Sequence, residues 1–224
     1  MKTILLSLLL CFVSSAASSQ PLWNARFNTA GFESAPRSLC IVISKQEKRL
    51  EVWGERTDGA FAFVHAYPVC ALGSTPGPKR SQGDGMTPEG IYRISLFNPN
   101  SLFHLSMKID YPNASDRMLG ERGRLGGDVF IHGNCVTAGC VAIGDDGITE
   151  LYGLCKRYGT GIPVLVFPTS DSARWDILTA HSQQLENRAL RDFHINLRMV
   201  WEYWLQNKRV PERIILKNGE YALR

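Results

Sequence analysis

Residues 131–143 read Ile-His-Gly-Asn-Cys-Val-Thr-Ala-Gly-Cys-Val-Ala-Ile, and this segment decides how the rest of the sequence is interpreted. His132 ends a predicted strand, and Cys140 follows eight residues later. A thiol attacks a carbonyl only as the thiolate, so a cysteine nucleophile needs a nearby base. Gly139 permits a tight turn and leaves room for backbone N–H groups beside a substrate carbonyl. The segment therefore predicts Cys140 as nucleophile, His132 as general base and Gly139 in an oxyanion hole.

The flanking sequence predicts a mainly β domain. Apolar alternation and β-branched or aromatic content indicate strands on both sides of the segment, at residues 39–44, 48–54, 61–67, 91–97, 103–109, 128–132 and 162–167. Asp145 and Asp146 offer an N-cap for a short helix that runs to about Tyr158. Residues 20–37 are predicted as a polar entry, and residues 98–127 as a possible short strand followed by a polar loop.

Beyond Pro168 the composition shifts from strand-like to helical. Residues 172–206 carry apolar side chains at helical spacing, and we interpret this aromatic stripe as core: Trp175, Leu178, Leu190, Phe193, Leu197, Trp201, Trp204 and Leu205. A short apolar piece at 214–216 follows. The predicted organisation is a catalytic domain over residues 38–168 and a helical extension over 169–224 packed on it, an α+β fold overall.

The N-terminus has the order of a secretory signal peptide. Lys2 precedes an apolar run over residues 4–13, and small residues follow. We predict a signal peptide over residues 1–19, with cleavage after Ala17 or Ser19, and hence a periplasmic protein. Lipid attachment at Cys11 is a less favoured alternative. The apolar run is shorter than the about 20 residues of a membrane-spanning helix, and no later segment predicts one.

Composition fits one substantial globular domain with an appendage. The 224 residues are 44% hydrophobic and 21% charged, which is enough apolar material for a core. The net charge of +4 is mild and includes no basic tract, so nucleic acid is not predicted as a partner.

The cysteine count points to a reactive thiol. Removing Cys11 with the signal leaves five cysteines, an odd number in an oxidising compartment. Pairing among the structural candidates cannot be deduced from sequence; these are Cys40, Cys70, Cys135 and Cys155. Two alternatives stay open: a Cys135–Cys140 disulfide that would disable the nucleophile, and zinc binding by His132, Cys135 and Cys140. No CxxC pair or fourth ligand supports zinc, so we predict neither metal nor cofactor.

The chain resembles the L,D-transpeptidase catalytic-domain (YkuD-like) family. The matching motifs are Ile-His-Gly at 131–133, Thr-Ala-Gly-Cys at 137–140, Thr-Pro-Glu-Gly-Ile-Tyr at 87–92 and Asp-Tyr-Pro-Asn at 110–113. The similarity covers about residues 39–167 and implies a β-sandwich or barrel with a short helix after the nucleophile. Residues 77–85 and the helical tail resemble a Gram-negative subgroup associated with detaching the outer-membrane lipoprotein from peptidoglycan.

The resemblance implies a thioester mechanism. Cys140 would attack the carbonyl of a diaminopimelate residue in a peptidoglycan stem, and the backbone carbonyl of Gly133 would orient His132. Typical members have a longer loop between histidine and cysteine, and often carry His and Arg where this chain has Ala138 and Ala142. These departures favour hydrolysis, while transpeptidation and non-catalytic peptidoglycan binding stay as alternatives.

Basic loop residues are weaker candidates for the site. Five of them could bind the acidic peptide stem, although charged loop residues are usually only solvated: Lys79, Arg80, Arg117, Arg122 and Arg124. His104 is interpreted as a packing or rim residue.

Overall fold

The computed structural model describes residues 20–73, 77–184 and 188–223. The predicted signal peptide, including Cys11, lies outside these residues. The helices are α1 (Gln20–Thr29), α2 (Ala114–Leu119), α3 (Gly144–Tyr158), α4 (Ser172–Gln184) and α5 (Arg188–Asn207). The strands are β1 (Leu39–Ser44), β2 (Arg49–Glu55), β3 (Phe61–Pro68), β4 (Gly90–Ser101), β5 (His104–Ile109), β6 (Phe130–His132), β7 (Val141–Ala142), β8 (Pro163–Phe167), β9 (Ile214–Ile215) and β10 (Tyr221–Ala222).

One mixed sheet of eight strands, in the order β3-β2-β1-β8-β4-β5-β6-β7, forms the body of the fold. The long strand β4 joins its two halves, because residues 90–93 pair with β8 and the rest pairs with β5. Strands β6 and β7 are parallel, with His132 opposite Ala142. The predicted α+β class is confirmed, and β9 and β10 form a separate two-stranded sheet.

The two edges of the large sheet meet beside the nucleophile. Ala71, just after β3, forms an antiparallel bridge to Ala142 of β7, and the Ala142 N–H donates to the Ala71 carbonyl over 2.8 Å. The Cys70 N–H donates to the Ala142 carbonyl over 2.9 Å. A disulfide between Cys70 and Cys135 fastens the same junction. The sheet thus closes in a barrel-like manner at the strand that follows Cys140.

Strand β1 is buried on both faces and separates two apolar clusters. Successive strand residues point to opposite faces, so Ile41 and Ile43 join the cluster that α3 covers, whereas Cys40 and Val42 join the cluster that α4 and α5 cover. The interpretation of the C-terminal aromatic stripe as core is confirmed for the buried Trp175, Phe193, Leu197, Trp201 and Trp204. Leu178 is also buried, whereas Leu205 is 46% exposed, and the side chain of Leu190 lies outside those that the structure describes.

Several local predictions were wrong in physically simple ways. The polar entry contains helix α1, because Trp23 and Phe27 lie one turn apart and both are buried. The polar loop after β5 contains helix α2. This helix begins with a capping box, in which the side chains of Asn113 and Asp116 each accept the other's backbone N–H. Helix α3 begins at Gly144, so the two predicted capping aspartates lie in its first turn. Within the described ranges, no helix is both long and apolar enough to cross a membrane.

Candidate active site

His132 is held as a neutral base at the end of β6. Its side chain is 2% exposed, and its Nδ1 lies 2.6 Å from the backbone carbonyl oxygen of Gly133. A carbonyl can only accept, so Nδ1 carries the proton and Nε2 keeps its lone pair. Burial lowers the pKa of His132 below its usual 6.5, and the Gly133 hydrogen bond offsets part of this effect. The imidazole is therefore suited to accept a proton near neutral pH.

Gly133 fixes this arrangement because no larger residue fits. A Cβ there would lie 2.5 Å from Asp145 Oδ1 and 2.7 Å from the Phe103 carbonyl oxygen. Its own N–H donates to the carbonyls of Phe103 (3.1 Å) and Leu105 (3.2 Å). The backbone contacts of the β4–β5 hairpin thus set the position of the carbonyl that orients His132.

Cys140 is a free, partly exposed thiol directly before β7. Its Sγ accepts a hydrogen bond from the Phe130 N–H over 3.4 Å. The parallel pairing of β6 with β7 places it level with Phe130, two residues before His132 along β6. Two other free thiols, Cys40 and Cys155, are fully buried, and burial raises the pKa of both. Of the three, only Cys140 can meet a substrate.

The loop between base and nucleophile is short and internally bonded. Asn134 adopts a left-handed conformation (φ 56°), and its N–H donates to Asp145 Oδ1 over 2.7 Å. Its side chain in turn accepts the Cys135 N–H over 2.6 Å. Asp145, in the first turn of α3, thereby ties the loop to the helix.

Gly139 is shaped for a close backbone contact. Its φ is +126°, and a Cβ would lie 2.7 Å from the Met86 carbonyl oxygen. Its carbonyl accepts the Thr87 hydroxyl over 2.9 Å. The Cys140 N–H donates to Thr137 Oγ1 over 2.8 Å. Within the described part of the chain, the Gly139 N–H has no hydrogen-bond acceptor.

His132 and Cys140 line the same small pocket, of about 210 Å³. Its walls are mostly apolar and come from the β4–β5 hairpin and the start of β6: Asn98, Ser101, Leu102, Phe103, Ser106 and Phe130. The Phe103 ring lies 4.7 Å from the imidazole of His132. Leu102 is 96% exposed. Sequence reasoning missed this wall, although two adjacent apolar residues in a polar turn are an unusual pattern.

Most of the predicted basic residues already form ion pairs or hydrogen bonds with other residues of the same chain. Lys79 pairs with Asp84, Arg80 with Asp116, and Arg124 with Glu121, while Arg117 donates to the Pro112 carbonyl and Arg122 is exposed. None of the five is among the described residues that line the pocket. His104 lies at the rim, where its Nε2 contacts Thr149 Oγ1 at 2.8 Å.

The disulfide pattern removes two of the alternatives. Cys135 pairs with Cys70, so the Cys135–Cys140 disulfide is wrong, and Cys135 has no thiolate to offer zinc. In residues 20–73, 77–184 and 188–223, no cluster of three or more His, Cys, Asp or Glu side chains is placed to hold a metal ion.

A neutral, oriented histidine beside an unpaired cysteine is the arrangement that cysteine acyl-transfer enzymes use. The sequence profile of the L,D-transpeptidase catalytic domain (YkuD) matches residues 39–166, more than half of the chain. The chain belongs to this family, whose catalytic domain acts on peptidoglycan.

Two relatives illustrate the similarity. The chain is 28% identical over 187 residues to the Escherichia coli (strain K12) protein named "Putative L,D-transpeptidase YafK", covering 82% of this chain and 72% of that protein. The fold of this chain is similar to that of the helical cell shape determining protein Pgp2 from Campylobacter jejuni, with a TM-score of 0.50 and 17% identity. That match covers 78% of this chain and 71% of Pgp2.

Proposed function

We propose that this chain is an exported cysteine amidase that cleaves the link between a lipoprotein and the diaminopimelate of a peptidoglycan stem. The observation that carries this proposal is the shared pocket of Cys140 and His132, with Nδ1 of the histidine already bound by the Gly133 carbonyl. The catalytic unit spans residues 38–168 and the helical extension spans 169–224. Export to the periplasm, directed by residues 1–19, brings the enzyme to its polymer.

Acylation follows from this geometry. Nε2 of His132 takes the thiol proton, and the Cys140 thiolate attacks the diaminopimelate carbonyl. The Gly139 N–H, unpaired within the described residues, stabilises the oxyanion. Collapse breaks the C–N bond, and the departing amine receives the proton from His132, which leaves a thioester on Cys140.

The pocket favours hydrolysis of the Cys140 thioester as the second step of the reaction. Ala142 is fully buried in β7, and Ala138 is exposed but carries only a methyl group. Among the described residues that line the pocket, His132 is the only ionisable side chain besides the nucleophile. A second peptide stem would find no charged group here to hold its carboxylates. Water, activated by neutral His132, is an acceptor that needs no charged group to hold it.

The test is incubation of the purified mature protein with sacculi that carry bound lipoprotein, in water labelled with heavy oxygen and with a D-amino acid added. Muropeptides are analysed by mass spectrometry. We expect release of lipoprotein and heavy oxygen in the new diaminopimelate carboxyl. Cys140→Ala should abolish both, whereas Cys155→Ala, which removes a thiol from the core, should retain them.

Other product patterns would overturn the proposal in distinct ways. New cross-links or exchange of the D-amino acid into the stem, without heavy oxygen, would identify a transpeptidase. Muropeptides that are the same for the wild-type protein and Cys140→Ala would identify a peptidoglycan-binding protein without turnover.

A further inference from the structure

A buried ionic cluster lies where the C-terminal helix α5 meets the large sheet. Lys45, after β1, donates through Nζ to Glu89 Oε1 over 2.8 Å, and both side chains are fully buried. His194 of α5, 2% exposed, contacts the other carboxylate oxygen of Glu89 through Nε2 at 2.9 Å. The cluster therefore joins the catalytic domain to the extension through one carboxylate.

The carboxylate of this cluster is charged at neutral pH. Burial alone would raise the pKa of Glu89, but the nearby Lys45 and His194 outweigh burial and lower it to about 2. A buried ion pair stabilises only when its remaining donors and acceptors are satisfied. Lys45 meets this condition, because its ammonium group also donates to the carbonyls of Gly77 (2.6 Å) and Thr87 (3.0 Å).

Thr87 connects the cluster to the nucleophile. Its side chain is fully buried, and its carbonyl accepts the Lys45 ammonium group. Its hydroxyl accepts the Gly73 N–H over 2.8 Å and donates to the Gly139 carbonyl over 2.9 Å. The Gly139 carbonyl belongs to the peptide group whose nitrogen is the backbone N of Cys140. Four consecutive hydrogen bonds thus lead from α5 to that peptide.

We propose that His194 is a positioning residue for the nucleophile, acting through Glu89, Lys45 and Thr87 on the Gly139–Cys140 peptide. The inference rests on the proposed function only in taking Cys140 as the reacting thiol. With the Gly139 carbonyl held by Thr87, the plane of the Gly139–Cys140 peptide cannot flip, so the backbone that carries the Cys140 side chain keeps its orientation. The helical extension is then part of the framework of the active site.

The opposing explanation is that the cluster only anchors the extension, and Asn196 provides the matched control. Asn196 lies on the same helix, is 8% exposed and makes two hydrogen bonds to the Tyr221 backbone (2.9 and 2.7 Å). These bonds attach α5 to β10 and do not lead to Thr87. His194→Ala and Asn196→Ala therefore both weaken the extension, but only the first breaks the connection to Cys140.

The experiment measures the second-order rate at which iodoacetamide alkylates Cys140, located by peptide mass spectrometry, beside the unfolding midpoint of each variant. We expect His194→Ala to slow alkylation on the order of tenfold. His194→Gln, which can still donate to Glu89, should stay near wild type, as should Asn196→Ala. Equal slowing in His194→Ala and Asn196→Ala, or none in either, would refute the proposal.

Thr87 supplies a second test that does not depend on how well the His194 variants fold. Thr87→Val keeps the side-chain shape but loses the hydroxyl, whereas Thr87→Ser keeps it. Slow alkylation in Thr87→Val with recovery in Thr87→Ser is expected, and equal rates in both would overturn the connection. Because alkylation needs no peptidoglycan, a negative result with sacculi leaves this test intact.

Discussion

His132 and His194 are both 2% exposed, yet their surroundings differ in the one respect that matters for chemistry. His132 is bound by the neutral carbonyl of Gly133 and lines a pocket with Cys140. His194 is bound by the carboxylate of Glu89, which Lys45 also holds, inside the interface with the extension. Burial alone therefore does not define a catalytic base. The pocket that His132 shares with Cys140, and that His194 does not line, distinguishes the candidate base.

The largest expected effect is a loss of turnover when the region of His132 and Cys140 is changed. Cys140→Ala should lower turnover at least about 10⁴-fold, while the free energy of unfolding changes by less than about 1 kcal/mol, as for a partly exposed site. The measurements are single-turnover release from sacculi and urea unfolding. Residual turnover close to wild type would remove Cys140 from the mechanism.

The second effect appears in stability. Glu89→Leu leaves the Lys45 ammonium group buried without a counter-charge, and we expect a loss of about 3–5 kcal/mol in the free energy of unfolding. Adding Lys45→Met should restore much of it, because an apolar pair of similar volume avoids the desolvation cost. Chemical denaturation measures both variants. A double variant no more stable than the single one would show that unpaired charge is not the cause.

The region of His132 and Cys140 could be predicted from the sequence, whereas the buried ionic cluster around Glu89 could not, and the reason is physical. His132, Gly133 and Cys140 all lie in the short segment 131–143, so the spacing suggested the site and the family resemblance assigned a role to each residue. Lys45, Glu89 and His194 are far apart in the chain, and each looks ordinary in its local context. Likewise, the partner of Cys135 is 65 residues away, a distance that no local pattern encodes.

Helix α1 and the basic residues show two further limits of sequence reasoning. Only Trp23 and Phe27 among the ten residues of α1 are buried, and two buried residues form too weak a pattern to predict a helix. Lys79 and Arg80 read as free cations because the carboxylates that pair with them, Asp84 and Asp116, are identified only by the fold.

A smaller effect should sharpen the description of the first region. Phe103→Ala removes the ring packed 4.7 Å from the imidazole of His132, and we expect kcat/KM to fall about tenfold as the base loses its orientation. Phe63→Ala is the matched control, since Phe63 is 41% exposed, compared with 40% for Phe103, and packs on Trp53. Steady-state kinetics on the same substrate decide, and equal losses in both variants would contradict the prediction.

The smallest expected effect is a difference between the pH at which activity declines and the pH at which stability declines. His132 must be neutral to act as a base, and its lowered pKa should place the acid limb of kcat/KM below pH 6.5. Glu89 has a folded pKa of about 2 against 4.5 in the unfolded chain, so its stabilisation is complete above 4.5 and is lost as pH falls towards 2. Activity should therefore decline at a higher pH than stability. Kinetic and unfolding titrations on one preparation would contradict this if the two declined together.

The Cys70–Cys135 disulfide makes the attachment of the loop sensitive to the redox state of the surroundings. It fastens the loop between His132 and Cys140 to the end of β3, and both of its cysteines are exposed. Thiol-rich surroundings keep such sulfurs reduced, whereas an oxidising compartment joins them. The covalent fastening of this loop therefore depends on oxidising surroundings, and in reducing surroundings hydrogen bonds alone hold the loop.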